Sequence, residues 1–289
     1  MPSRRQPARA TRQSGIGAAV VVIVAGLVVG YLALKSPHQL RHSRPTACMA
    51  GLGSQGYQLS VGQAGIAATI AGVATRHDLP ARAVAIAYAT ALQESKLANL
   101  HYGTMDSVGV FQQRPSEGWG TARQIENPVY ATSRFFAALV AVPRYQHMRI
   151  DQAAQAVQHS ADGSAYEQYA GVGTSLALAF TGTQPHAVWC SYGSPVGHAR
   201  LADARRGLTA AFGALGGTVA SDPAAVVRVE NAGEGWAVAA WLVSHAAVYG
   251  ISDVRYAGYE WRATTGSGQW KALKLPRRAR PATAIVAFG

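Results

Sequence analysis

Apolar residues recur with a helical period through the middle of the chain. Asn127 followed by Pro128 is typical of a helix N-cap and first helical position, and Gly182 and Gly213 are typical of residues that follow a helix. The long segment at residues 99–126, rich in Gly, Gln, Ser and Trp, is the kind of loop that carries function. The period predicts helices at residues 61–76, 80–98, 128–141, 151–160, 165–180 and 201–212.

The pattern changes after residue 222 to short runs that predict a small α+β domain over residues 223–289. Residues 214–222 are the predicted linker to this domain. Its strands are expected at residues 226–230, 254–262 and 283–288 and its helix at residues 235–249. Core packing and a glycan-binding platform both remain open for its tryptophans, and its role is not predicted. These are Trp236, Trp241, Trp261 and Trp270.

An uncharged, almost wholly apolar run begins at Gly15 and ends at Leu34. Twenty residues at helical rise cross roughly 30 Å of hydrocarbon, so this run predicts a transmembrane helix. Residues 1–14 form a basic tail whose arginines favour a cytoplasmic N-terminus and an extracellular C-terminus. A cleaved signal peptide is the alternative, but the run is long and lacks a small-residue cleavage site after it.

The expected architecture is therefore mainly α, with one anchor in the cell membrane. Residues 35–59 lack periodicity and are predicted to form a stalk linker, and residues 60–213 are predicted to form a helical domain. The small α+β domain completes the chain.

Composition narrows the list of partners. The 289 residues carry a formal net charge of +12, which reflects either coding bias or attraction to an anionic polymer. The basic residues are scattered and no zinc-finger spacing or RNA-motif aromatics occur, so nucleic acid is not an expected partner. The nine histidines show no ligand spacing, and we expect neither a metal site nor a cofactor.

The two cysteines, Cys48 and Cys190, lie before and near the end of the predicted helical domain. In an exported domain two cysteines are most simply one disulfide. Such a bond closes a long loop and stabilises the fold by about 2–5 kcal/mol. Two buried free thiols are the alternative.

The predicted helix at residues 80–98 has a carboxylate on its apolar stripe. Glu94 and Ser95 follow Ala91, the last apolar residue of this stripe, by three and four residues and therefore lie on the same face of the helix. A carboxylate on a core-facing stripe is costly unless it is paired or neutral, and a neutral carboxylic acid is what general acid catalysis requires. A glutamate that turns to solvent or bonds a backbone amide is the alternative. The stripe consists of Val84, Ala87, Tyr88 and Ala91.

Gln112 follows Glu94 by eighteen residues, at the end of the sequence GVFQ. Glu-Ser at a helix end followed at this distance by Gly-x-x-Gln resembles the lysozyme-like superfamily, especially soluble lytic transglycosylases and goose-type lysozymes. The sequences QQRP at residues 112–115 and GWG at residues 118–120 extend the resemblance to a branch found in membrane-anchored actinobacterial proteins. The resemblance covers roughly residues 64–213, about half of the chain.

The resemblance implies a lysozyme-like helical fold and cleavage of the β-1,4 bond between N-acetylmuramic acid and N-acetylglucosamine in peptidoglycan. Lytic transglycosylase and muramidase chemistry both remain open, and each would use Glu94 as the catalytic acid and base. Asp106 is a possible second acid, with a turn-capping role as the alternative. The resemblance also implies substrate-binding positions at Ser95, Gln112, Gln113, Trp119 and Gln158.

One departure from the family pattern affects these expectations. Family members often carry Ala-Tyr-Asn-Ala-Gly, whose tyrosine approaches the catalytic site, whereas this chain has AVQHSA at residues 156–161. Gln158 stands near the place of that tyrosine, and Tyr166 and Tyr169 are candidate replacements. The alternative function is thus a catalytically inactive peptidoglycan-binding or scaffolding component of an envelope machine, with envelope-complex proteins as partners.

Overall fold

The computed structural model describes residues 46–51, 56–159, 163–193, 195–216, 218–221, 224–263, 268–274 and 284–289. The basic tail, the predicted transmembrane helix and residues 35–45 of the predicted stalk lie outside these ranges. No helix within the described ranges combines the length and apolar character that a membrane crossing requires.

Helices dominate residues 61–212. The predicted helices at residues 61–76, 128–141 and 201–212 are confirmed, and Asn127 caps its helix by accepting from the amides of Val129 and Tyr130. The predicted helix at residues 165–180 begins as the 3₁₀ segment Gly163–Tyr169 and continues as an α-helix. The bounds are α1 Val61–Arg76, α2 Ala81–Ser95, α3 Ala122–Ile125, α4 Pro128–Ala141, α5 Ile150–Gln158, α6 Ala170–Phe180 and α7 Leu201–Phe212.

Two antiparallel sheets make the protein mixed α+β, so the expectation of a mainly helical chain was too narrow. The first sheet has the order β2-β1-β3, and the second has the order β4-β5-β9-β6-β7-β8. Helices α8 (Ala232–Ser244) and α9 (Ala246–Tyr249) lie between β5 and β6 in the chain. The strands are β1 Ala47–Ala50, β2 Tyr57–Leu59, β3 Val188–Ser191, β4 Thr218–Ser221, β5 Ala224–Arg228, β6 Asp253–Tyr256, β7 Tyr259–Arg262, β8 Lys271–Ala272 and β9 Ala284–Phe288.

Part of the predicted stalk belongs to the first sheet. Strands β1 and β2 fall within residues 35–59, where runs of three and four residues are too short to show alternation. The predicted strand at residues 254–262 is a hairpin instead. Its turn residues Ala257 and Gly258 have φ of 48° and 82°, as a tight hairpin with right-handed twist requires.

Cys48 and Cys190 form a disulfide, as predicted. They face each other directly across β1 and β3, with 3.9 Å between their Cα atoms, and both are fully buried. The bond joins positions separated by 142 residues. It therefore attaches the start of the described chain to the strand that lies between α6 and α7 in the chain.

The C-terminal tryptophans are mainly structural. The indole nitrogen of Trp261 donates to the carbonyl of Cys190 (3.1 Å), and that of Trp270 donates to the carbonyl of Val188 (2.7 Å). Both carbonyls lie on the edge of β3 away from β1, so the indoles satisfy a strand edge that would otherwise be open. Helix α8 also packs against α1, and one hydrophobic core runs through both predicted domains.

We predict that replacing both cysteines (Cys48→Ser with Cys190→Ser) lowers the free energy of unfolding by about 2–5 kcal/mol, because a long cross-link restricts the unfolded chain. Chemical denaturation measures this difference. The unmodified protein unfolded with a reductant present is the control and should match the variant. An unchanged denaturation midpoint would contradict the prediction.

Candidate functional site

Helix α2 brings Glu94 to the surface of the core. Most of α2 is buried, and it packs extensively against α6. Gly173 permits this approach, since a Cβ there would lie 2.7 Å from the carbonyl oxygen of Ala85. The helix ends after Ser95 because Lys96 adopts a left-handed conformation (φ 56°, ψ 39°). Glu94 is thus half-buried in the last turn of a rigid helix.

The neighbouring Ser95 fastens this helix end to the loop that follows. Its buried hydroxyl bonds the carbonyls of Val110 (2.7 Å) and Ala91 (3.1 Å) and accepts from the amide of Ala98 (3.2 Å). These backbone partners use the bonding capacity of the hydroxyl. Ser95 therefore supports the site from the core, and the geometry gives no support to the predicted ligand contact.

The turn that contains Gln112 packs over the end of α2. Gly109 has φ 79°, and a Cβ at this position would lie 2.7 Å from the carbonyl oxygen of Ile125. Phe111 is fully buried and stacks on Phe135 with 4.5 Å between ring centroids. Burial of Phe111 directs the next residue, Gln112, toward the open side of the turn.

Gln112 borders the open side of the turn, but its amide is largely bonded within the loop. Its Nε2 donates to the carbonyls of Gly109 (3.1 Å) and Tyr102 (3.3 Å). Its Oε1 accepts from the hydroxyl of Ser107 (3.1 Å). The side chain is consequently held in one orientation at the edge of the site.

Two further glutamines in the same wall are anchored through their amide nitrogens. Gln113 Nε2 donates to the carbonyl of Ala131 (3.2 Å), and Gln158 Nε2 donates to the carbonyl of Phe111 (2.8 Å). Among the described residues, neither Oε1 atom has a hydrogen-bond partner. Both oxygens are also closed off from solvent, so these two amides back the wall of the cleft from within the protein.

Within the described ranges, one oxygen of Glu94 has a hydrogen-bond partner. Its Oε1 accepts from the hydroxyl of Tyr166 at 2.6 Å, and Tyr166 is buried in the 3₁₀ segment Gly163–Tyr169. The ion pairs found within the described ranges do not include Glu94. Of the two candidate tyrosines, Tyr166 contacts Glu94, whereas Tyr169 bonds the ammonium of Lys96.

Glu94 borders an open cleft of about 1320 Å³. This exceeds the roughly 300–1,000 Å³ of a site for one small molecule, so the cleft suits an oligomer. Trp119 lines it and is partly buried, with its carbonyl accepting from the Tyr130 hydroxyl (3.2 Å). The predicted residues Gln112, Gln113 and Gln158 also line it.

Three of the nine non-glycine residues with positive φ in the described ranges line this cleft. Met105, Gln112 and His159 all line it and have φ of 60°, 49° and 50°. Left-handed backbone costs a residue with a side chain about 1–2 kcal/mol. Strain of this kind is typical of functional sites, where the surrounding structure holds it in place.

Asp106, the possible second acid, is not among the residues that line the cleft. Its carboxylate accepts from Arg114 Nε (2.8 Å) and from the amide and hydroxyl of Ser116 (2.8 and 3.0 Å). The bond from Arg114, followed by the amide bond, lowers the pKa of Asp106 to about 2. The geometry therefore favours the alternative, in which Asp106 braces the loop as a permanent anion.

Within the described ranges, no group of three or more His, Cys, Asp or Glu side chains is arranged to hold a metal ion. Comparison of the sequence with protein-family models gave no match, and comparison with curated proteins gave none either. What the chain does is therefore inferred from the residues of the cleft.

We predict that NMR titration of the Asp106 carboxyl gives a pKa near 2 and that Arg114→Gln raises this pKa toward the ordinary value of about 3.9. Because the folded pKa is depressed, the stabilising contribution of Asp106 is complete above pH 4 and is lost as the pH falls through 2. Arg123→Gln, on α3, is the control. Titration of Asp106 near pH 4 in the unmodified protein would contradict the assignment.

Proposed function

We propose that this protein cleaves peptidoglycan glycan strands at the β-1,4 bond between N-acetylmuramic acid and N-acetylglucosamine, with Glu94 as acid and base. One observation carries the proposal. The Glu94 carboxyl is oriented by a tyrosine hydroxyl, takes part in no ion pair among the described residues, and borders a cleft of oligomer size. The resemblance of Glu94-Ser95 and residues 109–112 to the lysozyme-like superfamily supports the same function.

In the proposed reaction, Glu94 gives its proton to the glycosidic oxygen while the bond to the muramoyl C1 breaks. The carboxylate then removes a proton either from the muramoyl 6-hydroxyl, which closes a 1,6-anhydro ring, or from a water molecule. The first route needs no second carboxylate. Asp106 is committed to Arg114, and Glu117, which lines the cleft, also pairs with Arg114. We therefore favour lytic transglycosylase chemistry.

Tyr166 acts in this scheme as a positioning residue. Its hydroxyl holds Oε1 of Glu94, which fixes the carboxyl plane and leaves Oε2 to exchange protons with the substrate. Gln113 and Gln158 shape the wall of the cleft, because their amide nitrogens are anchored to the carbonyls of Ala131 and Phe111. Gln112 and Trp119 form further parts of the same wall.

We also propose that the cleft acts outside the cell membrane, held there by residues 15–34. The disulfide supports this location, because such bonds persist in oxidising compartments. A second candidate function is peptidoglycan binding without turnover, as part of an envelope complex. The internal bonding of the Gln112 amide favours it, because that amide has few free bonding positions for a sugar.

Glu94→Gln should abolish muropeptide release from purified sacculi, because the amide cannot supply the proton. Glu117→Gln, in the same cleft, is the matched control and should retain turnover. Mass spectrometry of the products should show 1,6-anhydro ends. Full release of muropeptides by the Glu94→Gln protein would refute the role of Glu94 as the catalytic acid. If the unmodified protein sediments with sacculi but releases no muropeptides, the binding function is favoured.

Tyr166→Phe should slow release about tenfold or more, because a hydrogen bond to a charged group contributes about 1.5–3 kcal/mol. The substitution should also change the pH dependence of the rate, whereas a loss of packing alone would leave that pH dependence unchanged. Tyr169→Phe, which bonds Lys96 instead, should behave like the unmodified protein. Equal losses in the two variants, measured at matched thermal stability, would argue against the positioning role.

A further inference from the structure

The two arginines that line the cleft differ in whether they form ion pairs with carboxylates of the protein. The guanidinium of Arg114 pairs with Asp106 and Glu117 and is therefore neutralised within the protein. Arg134 of α4 also lines the cleft and is exposed. Its Nη2 donates to the carbonyl of Gly118 (3.2 Å), and no carboxylate in the described ranges pairs with it. Arg134 therefore borders the cleft with a guanidinium that no ion pair in the described ranges occupies.

The surroundings of Arg134 leave room for an anion. Ala137 and Ala138 follow it by three and four residues on α4, so they lie on the same helix face, and both line the cleft. Neither carries a polar group or a long side chain that would compete for the guanidinium. The bond to Gly118 uses one of five N–H donors and restricts the orientation of the guanidinium.

The chemistry of these donors selects the class of ligand. A guanidinium with two free parallel N–H groups binds a carboxylate in a bidentate manner. N-acetylated sugars in an intact strand are uncharged, whereas the peptide stems attached to the muramoyl residues carry carboxylates. The charge on Arg134 thus matches the stem and not the sugar chain.

We propose that Arg134 binds a carboxylate of the peptide stem and makes stem-bearing peptidoglycan with free carboxylates the preferred substrate. This inference rests on the proposed function, since it concerns the same cleft. It adds a specificity determinant to a site whose other predicted residues address only the glycan. In this proposal Arg134 binds the substrate and has no part in proton transfer.

The test compares two forms of one substrate with the full-length protein. Purified glycan strands free of phosphate polymers are used with their stem carboxylates either native or converted to methylamides. The unmodified protein should release muropeptides from the native strands about tenfold faster, which corresponds to about 1.4 kcal/mol. Arg134→Gln should cleave both forms at the slower rate, and Arg134→Lys should recover part of the preference.

Arg123→Gln is the matched control, because Arg123 is exposed on α3 but does not line the cleft. It should keep the full preference, which separates a specific contact from general attraction by a basic protein. The proposal is overturned if the unmodified protein treats both substrates alike or if Arg134→Gln retains the preference. Thermal unfolding of each variant checks that the fold is intact.

Failure of the proposed function gives a different result from failure of this inference. If the unmodified protein cleaves neither substrate, cosedimentation with the same two glycans measures binding alone. Preferential binding of the native form that Arg134→Gln abolishes would then support carboxylate recognition without turnover. Equal binding of the two forms by the unmodified protein would overturn it.

Discussion

The hydrogen bond from the Ser95 hydroxyl to the carbonyl of Val110 is the contact on which the arrangement of the site depends. It joins the last turn of α2 to the turn that carries Gln112, at 2.7 Å and in a buried setting. A bond in such surroundings is strong, and loss of either partner leaves an unsatisfied polar group. Because Glu94 precedes Ser95 directly, this one contact sets the carboxyl against the wall of the cleft. The left-handed Lys96 then takes the chain away from the helix axis.

The strain around the cleft is offset by packing beneath it. Phe111 stacks on Phe135, and α2 is held along its length by α6. The disulfide between β1 and β3 attaches the start of the described chain to this core. The indole hydrogen bonds of Trp261 and Trp270 attach the C-terminal part to the outer edge of β3. A rigid core of this kind can maintain costly backbone conformations and half-satisfied amides at one edge.

Local signals in the sequence were enough to predict much of the scaffold. Periodicity and the Asn127 cap specified α4, and the apolar stripe of α2 singled out Glu94, because both depend on residues close together in the chain. The short strands β1 and β3 were missed because their pairing joins segments 142 residues apart. Tyr166 was one of two candidates, and choosing between them required a contact across 72 residues. The bonds from Arg114 and Ser116 to Asp106, and the absence of an ion pair to Arg134 within the described ranges, are likewise tertiary facts, which no spacing rule encodes.

The central claim is that the carboxyl of Glu94 faces the bond that breaks. A crystal structure of the Glu94→Gln protein with a bound, stem-bearing muramoyl oligosaccharide tests this most directly. The claim predicts that the glycosidic oxygen lies within hydrogen-bond reach of the residue 94 side chain, roughly 3 Å away, with sugars on both sides along the cleft. An oligosaccharide bound elsewhere on the protein, or a strand whose glycosidic oxygens all lie out of reach of residue 94, would contradict it.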